Sequence, residues 1–138
     1  MSNRNKKDGV YYEQVFIAEA LKRDLEVSET VGDALPYDVV VMCGSHSYRV
    51  QVKGTSGVSD RYHRRYMFGM KSGMHKKINT EFDVFAGYVR QEHDSCWYLI
   101  PQHLCNVTSI KVYPDIQDSK GKYEKFMNNW TVFNPKSK

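Results

Sequence analysis

Three polar side chains lie in an apolar stretch of the sequence, residues 36–55, which reads PYDVVVMCGSHSYRVQVKGT. Asp38 stands at the start of its first apolar run, and Gln51 and Lys53 stand near the end of its second. Side chains alternate between the two faces of a β-strand, so Gln51 and Lys53 project from the same face. Polar groups in a buried hairpin need a reason, because burial costs free energy unless they are paired.

The valine- and tyrosine-rich runs predict two strands, 37–43 and 48–54, joined by the four-residue turn GSHS. Such a hairpin puts Asp38 within reach of Gln51 and Lys53. Carboxylate and amide oxygens suit Mg²⁺, which keeps most of its waters and needs only one or two protein carboxylates plus substrate phosphate. The ammonium of Lys53 is suited to stabilise negative charge that develops on phosphorus, or to orient an attacking water.

A helix supplies the fourth candidate. Apolar residues recur at helical spacing in YYEQVFIAEALKRDL and predict a helix over Val10–Leu25, with Asp8 as its N-cap. Glu13 lies near the start of this helix, where a side chain can lean over the edge of the adjoining sheet. Glu19 falls six residues later on nearly the opposite face and is expected to be a surface residue.

The segments GVYYEQV, PYD and QVKGT, in this order and spacing, resemble the PD-(D/E)XK nuclease superfamily. In that superfamily a helix glutamate, a strand-start aspartate and an (E/Q)xK pair on the next strand hold the metal. The resemblance implies that Glu13, Asp38 and Gln51 bind metal and that these three, with Lys53, form the catalytic set. It extends through FDVFAGYV and CWYLIP, which look like the later strands of small members, and so covers about residues 9–101.

Gln51 replaces the commoner glutamate, and in this the chain resembles the small group I intron homing endonucleases of the superfamily. Archaeal-type Holliday junction resolvases have a similar size and spacing but carry glutamate. The resemblance implies an endodeoxyribonuclease, dependent on Mg²⁺ (or Mn²⁺), that cuts double-stranded DNA at specific sites. A junction resolvase and a non-catalytic DNA-binding module of the same fold stay open as alternatives. Because the amide removes one negative charge, affinity for Mg²⁺ is expected to be weaker unless substrate phosphate completes the site.

Positive charge is concentrated in and after the hairpin. From Val39 to Lys77 there are eight basic residues and one acidic residue, Asp60, although the whole chain has a net charge of only +4. Such a distribution is typical of a surface that binds a polyanion, although a solvated loop shows the same pattern. The residues expected to contact DNA phosphates are basic residues that follow the hairpin, namely Arg61, Arg64, Arg65, Lys71, Lys76 and Lys77.

Length and composition fit one globular unit. The chain has 138 residues, 41% of them hydrophobic and 26% charged, which predicts a single domain. With the resemblance, we expect one nuclease domain over 1–138 with flexible tails at 1–8 and 134–138. No apolar run approaches the roughly 18 residues of a membrane span, and the polar start MSNRNKKDG is unlike a secretory signal. We expect no membrane partner and a cytoplasmic protein of a bacterial or phage-infected cell.

Three cysteines at wide spacing do not suggest a disulfide framework, and reduced thiols are the simpler assumption. The segment HDSCWYLIPQHLC contains residue types that bind zinc: His93, Cys96, His103 and Cys105. Their spacing straddles a strand whose alternate residues face opposite ways, whereas zinc sites favour close pairs of ligands. We therefore do not expect zinc here.

Beyond the hairpin, YMFGMKS, VFAGYV and SCWYLIP predict strands, MHKKINT a short helix or turn, and YEKFMNNWTVF a short helix packed by Phe126 and Trp130. This order predicts an α/β fold with a PD-(D/E)XK (restriction-endonuclease-like) core, in which a central mixed β-sheet is flanked by helices. Cutting both strands of a duplex needs two active sites, so we expect a homodimer or homotetramer.

Overall fold

The computed structural model describes residues 3–31, 35–57, 64–70 and 81–134. Its helix and strands are α1 (Asn3–Lys22), β1 (Glu26–Glu29), β2 (Val39–Cys43), β3 (His46–Thr55), β4 (Tyr66–Gly69), β5 (Val84–Val89), β6 (Cys96–Pro101) and β7 (Ser109–Val112). Three 3-10 turns lie at Gln102–Leu104, Glu124–Phe126 and Trp130–Phe133.

A five-stranded sheet in the order β1-β2-β3-β5-β6 forms the centre of the molecule. Its central pair, β3 and β5, is parallel, with Val50 opposite Val84, and its other neighbouring strands are antiparallel. Strands β4 and β7 form a second, two-stranded antiparallel sheet. The predicted α/β fold with a mixed central sheet is therefore confirmed.

Both faces of the central sheet are covered, and the strand sequences show why. Along β5 nearly every residue is buried, as expected for a strand with apolar neighbours on both faces. Val50 and Val52 of β3 pack with Phe16 of α1 on one face. Phe85 of β5 packs with Phe68 of β4 on the other face. The central sheet thus lies between α1 and the smaller sheet.

The helix is longer than the sequence indicates. It begins at Asn3, so the predicted start at Val10 and the predicted N-cap Asp8 are wrong, and it ends at Lys22 rather than Leu25. Its first residues are polar but include no proline, so nothing in them stops the helix, and apolar periodicity does not detect such a turn.

The hairpin turn is tighter than predicted. Cys43 pairs with His46, so two residues connect β2 and β3 in place of four. Gly44 has a φ of +62°, a left-handed conformation that glycine adopts without steric cost and that two-residue hairpin turns require.

Two short strands, β1 and β7, were not predicted, because EVSE has only one apolar residue and the alternation in SIKV extends over only four residues. The predicted C-terminal helix is replaced by two 3-10 turns, although Phe126 and Trp130 are buried as expected. The predicted short helix or turn at MHKKINT lies outside the described residues. In the described part of the chain, no helix has the length and apolarity needed to cross a bilayer.

Candidate active site

Asp38 lies where β2 begins and acts as a hydrogen-bond partner for β3. Its backbone N–H donates to the carbonyl of Val50 at 2.9 Å, and its carboxylate Oδ2 accepts from the backbone N–H of Val52 at 2.8 Å. The backbone pairing of β2 with β3 begins at Val39 and Val50. Beyond that pair, the Asp38 carboxylate accepts the next β3 amide in place of a backbone carbonyl. Since the Val52 amide lies between Gln51 and Lys53 in the chain, this bond draws Asp38 towards both.

Alternation places these three residues on the same face of the sheet. Val39 and Val50 pair and are buried on the α1 side. Asp38, Gln51 and Lys53 are the next positions along each strand and project to the other face. The predicted grouping of the hairpin residues therefore has a structural basis in register and in the Asp38 bond.

Gln51 is the least engaged of the three. It is half-buried and lies beside Phe85 of β5, and its side-chain amide makes no hydrogen bond within the described residues. Because the side chain is only half-buried, water can satisfy its amide until another ligand takes the place of that water. The Gln51 oxygen is thus available to a cation, to a water bound to one, or to substrate.

Lys53 is held against the smaller sheet. Its Nζ donates to the carbonyl of Gly69, the last residue of β4, at 2.7 Å. Gly87 of β5, opposite Lys53, allows β4 to come this close, because a Cβ there would lie 2.8 Å from the ring of Phe68. Close packing of β4 on β5 therefore fixes where the ammonium lies.

Glu13 comes from the other side of the sheet. Residues Tyr12, Phe16 and Ala20 form the buried stripe of α1, and half-buried Glu13 lies at the flank of that stripe. The neighbouring Gln14 donates to the carboxylate of Glu29 at 3.1 Å, on the flank that faces β1.

Two further contacts fix this turn of α1 near Asp38. Thr30, which follows β1, donates from both its backbone N–H and its hydroxyl to the carbonyl of Asp38, each at 3.2 Å. Tyr12 fills the space over Gly54, where an added Cβ would overlap its ring. Glu13 thus lies in a turn of α1 whose neighbouring residues contact Gly54 of β3 and Glu29 of β1, whereas the other three candidates share the opposite face of the sheet.

An ion pair lies one pleat from Gln51 on the same face. Arg49 donates through Nε and Nη2 to the carboxylate of Asp83, at 3.1 Å each, and its backbone N–H donates to the same carboxylate at 2.8 Å. Burial raises the pKa of Asp83, but hydrogen bonds from Arg49 and its positive charge outweigh this and hold the pKa below its ordinary value. The pair ties the start of β5 to β3 and was not found from sequence, where the two residues are far apart.

Only two of the predicted DNA-contacting residues can be located, because Arg61, Lys71, Lys76 and Lys77 lie outside the described residues. Arg64 is exposed and Arg65 is half-buried. Arg64 Nη1 donates to the backbone carbonyl of Asp115 at 3.3 Å. The Asp115 carboxylate in turn accepts from Tyr66 at 3.1 Å and from Gln91 at 2.7 Å. This network anchors the segment that carries Arg64.

The cysteines and histidines of the segment 93–105 differ in burial. Cys96 and Cys105 are buried on the β4 side, whereas His93 and His103 are exposed. Burial raises the pKa of each thiol to about 12, and for Cys96 the carboxylates of Asp115 and Glu124 add to the effect. The thiols therefore stay protonated at neutral pH in the absence of a metal ion.

The predicted metal ligands are two carboxylates and one amide. Within the described ranges, no three His, Cys, Asp or Glu side chains gather closely enough to hold a metal ion. The predicted set has only two carboxylates, Glu13 and Asp38, and takes its third oxygen from the Gln51 amide. Such a set fits a hard dication that completes its shell with water and substrate phosphate.

Comparison with known proteins agrees with this architecture. A family model described as PD-(D/E)XK endonuclease matches residues 3–134. The structure of the bacterial homing endonuclease I-Ssp6803I is similar, with a TM-score of 0.76 and 23% identity over 95% of this chain and 90% of that one. The Holliday junction resolvase Hjc from the archaeal hyperthermophile Archaeoglobus fulgidus gives a TM-score of 0.48 and 11% identity over 78% of this chain and 84% of that one.

No curated protein sequence matches the chain significantly. The family model nevertheless extends from the first turn of α1 to the last described residue, and the resemblance inferred from Glu13, Asp38, Gln51 and Lys53 is confirmed at the level of the family. The chain therefore belongs to the PD-(D/E)XK endonuclease family.

Proposed function

We propose that this endonuclease is a Mg²⁺-dependent enzyme that hydrolyses phosphodiesters of double-stranded DNA at the site formed by Glu13, Asp38, Gln51 and Lys53. The observation that carries the proposal is the hydrogen bond from the Val52 backbone N–H to the Asp38 carboxylate. This bond holds the carboxylate next to Gln51 and Lys53, which flank Val52 in β3. The half-buried Gln51 amide, which has no hydrogen-bond partner among the described residues, supports a role in binding something outside the chain.

The charges of the four residues determine their roles in the proposed reaction. Glu13, Asp38 and Gln51 would provide the oxygens that hold the cation, either Mg²⁺ or Mn²⁺. When bound, a divalent cation polarises phosphoryl oxygens and lowers the pKa of its water. Lys53 presents its ammonium to the phosphate and stabilises the charge that builds up in the transition state. Its bond to the Gly69 carbonyl keeps the ammonium in position.

We further propose site-specific double-strand cleavage of the homing type by a homodimer or homotetramer. The glutamine at position 51 supports this choice, as does the similarity in fold to a bacterial homing endonuclease over nearly the whole chain. One small chain with one site cuts one strand, so an oligomer supplies the second site.

The test is cleavage of two labelled substrates, a long duplex with the sequence that flanks the gene and a synthetic four-way junction. Each is incubated with Mg²⁺, with Mn²⁺ and with Ca²⁺, and Lys53→Ala serves as the inactive control. Discrete cuts in the duplex, dependent on Mg²⁺ or Mn²⁺ and absent in Lys53→Ala, are expected.

Other results would replace the proposal. Symmetric nicks confined to the junction would identify a resolvase. Binding of both substrates without cleavage in any metal would identify a DNA-binding module that has lost its chemistry. Cleavage by the Lys53→Ala variant would show that the active site lies elsewhere in the chain.

A further inference from the structure

The parallel pair β3 and β5 ends on one edge of the sheet, and an arginine that the sequence did not single out follows there. Arg90 comes directly after β5, and its backbone N–H donates to the carbonyl of Thr55, the last residue of β3, at 2.8 Å. Thr55 is two residues beyond Lys53 on the same strand. Arg90 is therefore anchored at the strand end next to the candidate active site.

The side chain of Arg90 is exposed but held in place by an aromatic ring. Its guanidinium carbon lies 4.5 Å from the centre of the Tyr11 ring, which packs edge-on against Tyr12 with 5.7 Å between ring centres. Tyr11 is 40% exposed, so the stacked pair faces solvent. A guanidinium over an aromatic face keeps its N–H groups pointing outward in one plane.

Arg90 also has no carboxylate partner within the described residues. The Arg90 guanidinium is thus held in place by Tyr11, and its positive charge is not neutralised by a carboxylate of the described residues. Other arginines of the described chain are engaged differently: Arg23 pairs with Glu19 at 2.9 Å, and Arg49 pairs with Asp83 at 3.1 Å. A guanidinium that is held in place and not neutralised suits a phosphodiester, whose single negative charge is shared by two oxygens that can accept two parallel N–H bonds.

A second arginine is tied to the same edge. Gln91, next to Arg90, bonds the Asp115 carboxylate at 2.7 Å, and the Asp115 backbone accepts from Arg64 at 3.3 Å. The turn beyond Gln91 carries the exposed acids Glu92 and Asp94, which limits the local positive charge. The arrangement therefore favours a single localised phosphate contact over a broad basic patch.

We propose that Arg90, held by Tyr11, binds one backbone phosphate of the DNA beside the scissile position. The inference rests on the proposed function, because it takes the DNA to cross the edge where β3 and β5 end, with Lys53 on one face of the sheet and Arg90 on the α1 side. It adds to the expected DNA-contacting residues one that lies outside the basic segment after the hairpin. A phosphate contact of this kind orients the backbone without reading sequence.

The test is DNA affinity of the full-length protein in Ca²⁺, measured by fluorescence anisotropy on a labelled duplex at a series of KCl concentrations. Arg90→Ala should weaken binding and lower the slope of log affinity against log salt by about 0.9, the value for one lost phosphate contact. Tyr11→Leu keeps the charge, so it should leave the slope unchanged and reduce affinity by about threefold.

Arg23→Ala is the matched control. Arg23 also stacks on an aromatic ring, with its guanidinium carbon 4.9 Å from the centre of Trp130, but it lies at the far end of α1 and is paired with Glu19. Its replacement should leave the salt slope unchanged. Melting curves of all variants confirm that each is folded.

The outcomes distinguish a failure of the Arg90 inference from a failure of the proposed nuclease function. If the wild-type protein binds DNA and Arg90→Ala has the same affinity and slope, the Arg90 contact is wrong while the nuclease proposal stands. If Arg23→Ala lowers the slope as much as Arg90→Ala, the effect is non-specific and the contact is equally wrong. If the wild-type protein neither binds nor cuts DNA, both proposals fail together.

Discussion

Asp38, Gln51 and Lys53, which share one face of the sheet, differ in the hydrogen bonds that they already make within the protein. Asp38 gives one oxygen to the Val52 amide, and Lys53 gives its ammonium to the Gly69 carbonyl. Gln51 has no such bond within the described chain. Asp38 and Lys53 are thus preorganised by backbone groups, which lowers the reorganisation needed when substrate arrives.

Lys53→Ala should abolish cleavage while leaving DNA binding almost intact, because the ammonium acts chiefly on charge that develops in the transition state. The measurements are single-turnover cleavage in Mg²⁺ and duplex affinity in Ca²⁺. Lys22→Ala, at the exposed end of α1, is the control and should change neither. Equal losses of binding and cleavage in Lys53→Ala would indicate a structural role.

Gln51→Glu should lower the Mg²⁺ concentration needed for half-maximal cleavage, by on the order of tenfold, because a carboxylate adds one negative charge to the ligands. The measurement is the initial rate as a function of Mg²⁺ concentration at fixed DNA. Gln51→Ala, which offers no oxygen, should instead raise the concentration needed. If Gln51→Glu and the wild type have the same Mg²⁺ dependence, position 51 is not a ligand.

The Asp83–Arg49 pair gives a pH dependence of stability. The pKa of Asp83 is lower in the folded state than in the unfolded state, so its contribution is present above the unfolded pKa of about 3.9 and is lost as pH falls through the folded value. Asp83→Asn should therefore lower the melting temperature at pH 7 and have a smaller effect at pH 3.

The size of this effect is limited by solvent. Both side chains are about 40% exposed, so after screening the pair contributes about 1 kcal/mol or less. Thermal unfolding followed by circular dichroism at both pH values provides the measurement, with Glu26→Gln on the exposed edge of β1 as control. A deficit in Asp83→Asn that stays constant with pH would contradict the assignment.

At the scale of elements, two glycines let neighbouring layers approach the central strands from opposite sides. Gly54 of β3 faces α1, where Tyr12 fills the space of its missing side chain. Gly87 of β5 faces the smaller sheet, where Phe68 does the same. The site is thus positioned by close packing on both faces of one pair of parallel strands.

Gly54→Ala should push α1 away from β3, lower stability by about 1–3 kcal/mol through overpacking, and reduce cleavage because Glu13 moves with the helix. Gly9→Ala is the matched control, since nothing lies near its missing side chain, and it should raise stability by about 0.5–1 kcal/mol in a helix interior. Chemical denaturation and cleavage rates measure both effects. A stable, fully active Gly54→Ala would show that α1 can shift without moving the site.

Sequence reasoning identified the elements that have strong periodicity or apolar density. The runs VFAGYV and SCWYLIP correspond to β5 and β6, and the hairpin strands differ from β2 and β3 by at most two residues at each end. These segments are buried, so their composition reports their environment. The edge strands β1 and β7 carry too little apolar pattern to be detected.

The site was predictable only in part, for a physical reason. Asp38, Gln51 and Lys53 belong to one hairpin, so short-range alternation brings them together. The placement of Glu13 depends on packing between α1 and the sheet, and the Gln14–Glu29 and Tyr12–Gly54 contacts that set it are long-range. Arg90 escaped notice because its position depends on the parallel register of β3 and β5, which no local pattern encodes.

At the scale of the whole molecule, the proposed double-strand cleavage requires more than one chain. Size-exclusion chromatography with light scattering should give a mass of two or four chains at the concentration used for cleavage. A control run in high salt distinguishes association through charged surfaces, which weakens, from association through apolar contacts. A monomer that still makes double-strand cuts would overturn the expectation.

The Asp38 carboxylate stabilises the sheet in addition to its proposed role in metal binding. This affects how related sequences should be interpreted. The N–H of the buried Val52 would lose its acceptor if Asp38 became alanine, at a cost of about 1–3 kcal/mol in stability. A descendant that loses nuclease activity is therefore still under selection to keep Asp38 for its fold. Retention of the aspartate is then weak support for activity, and under the proposed function the lysine at position 53 is the better indicator of a working nuclease.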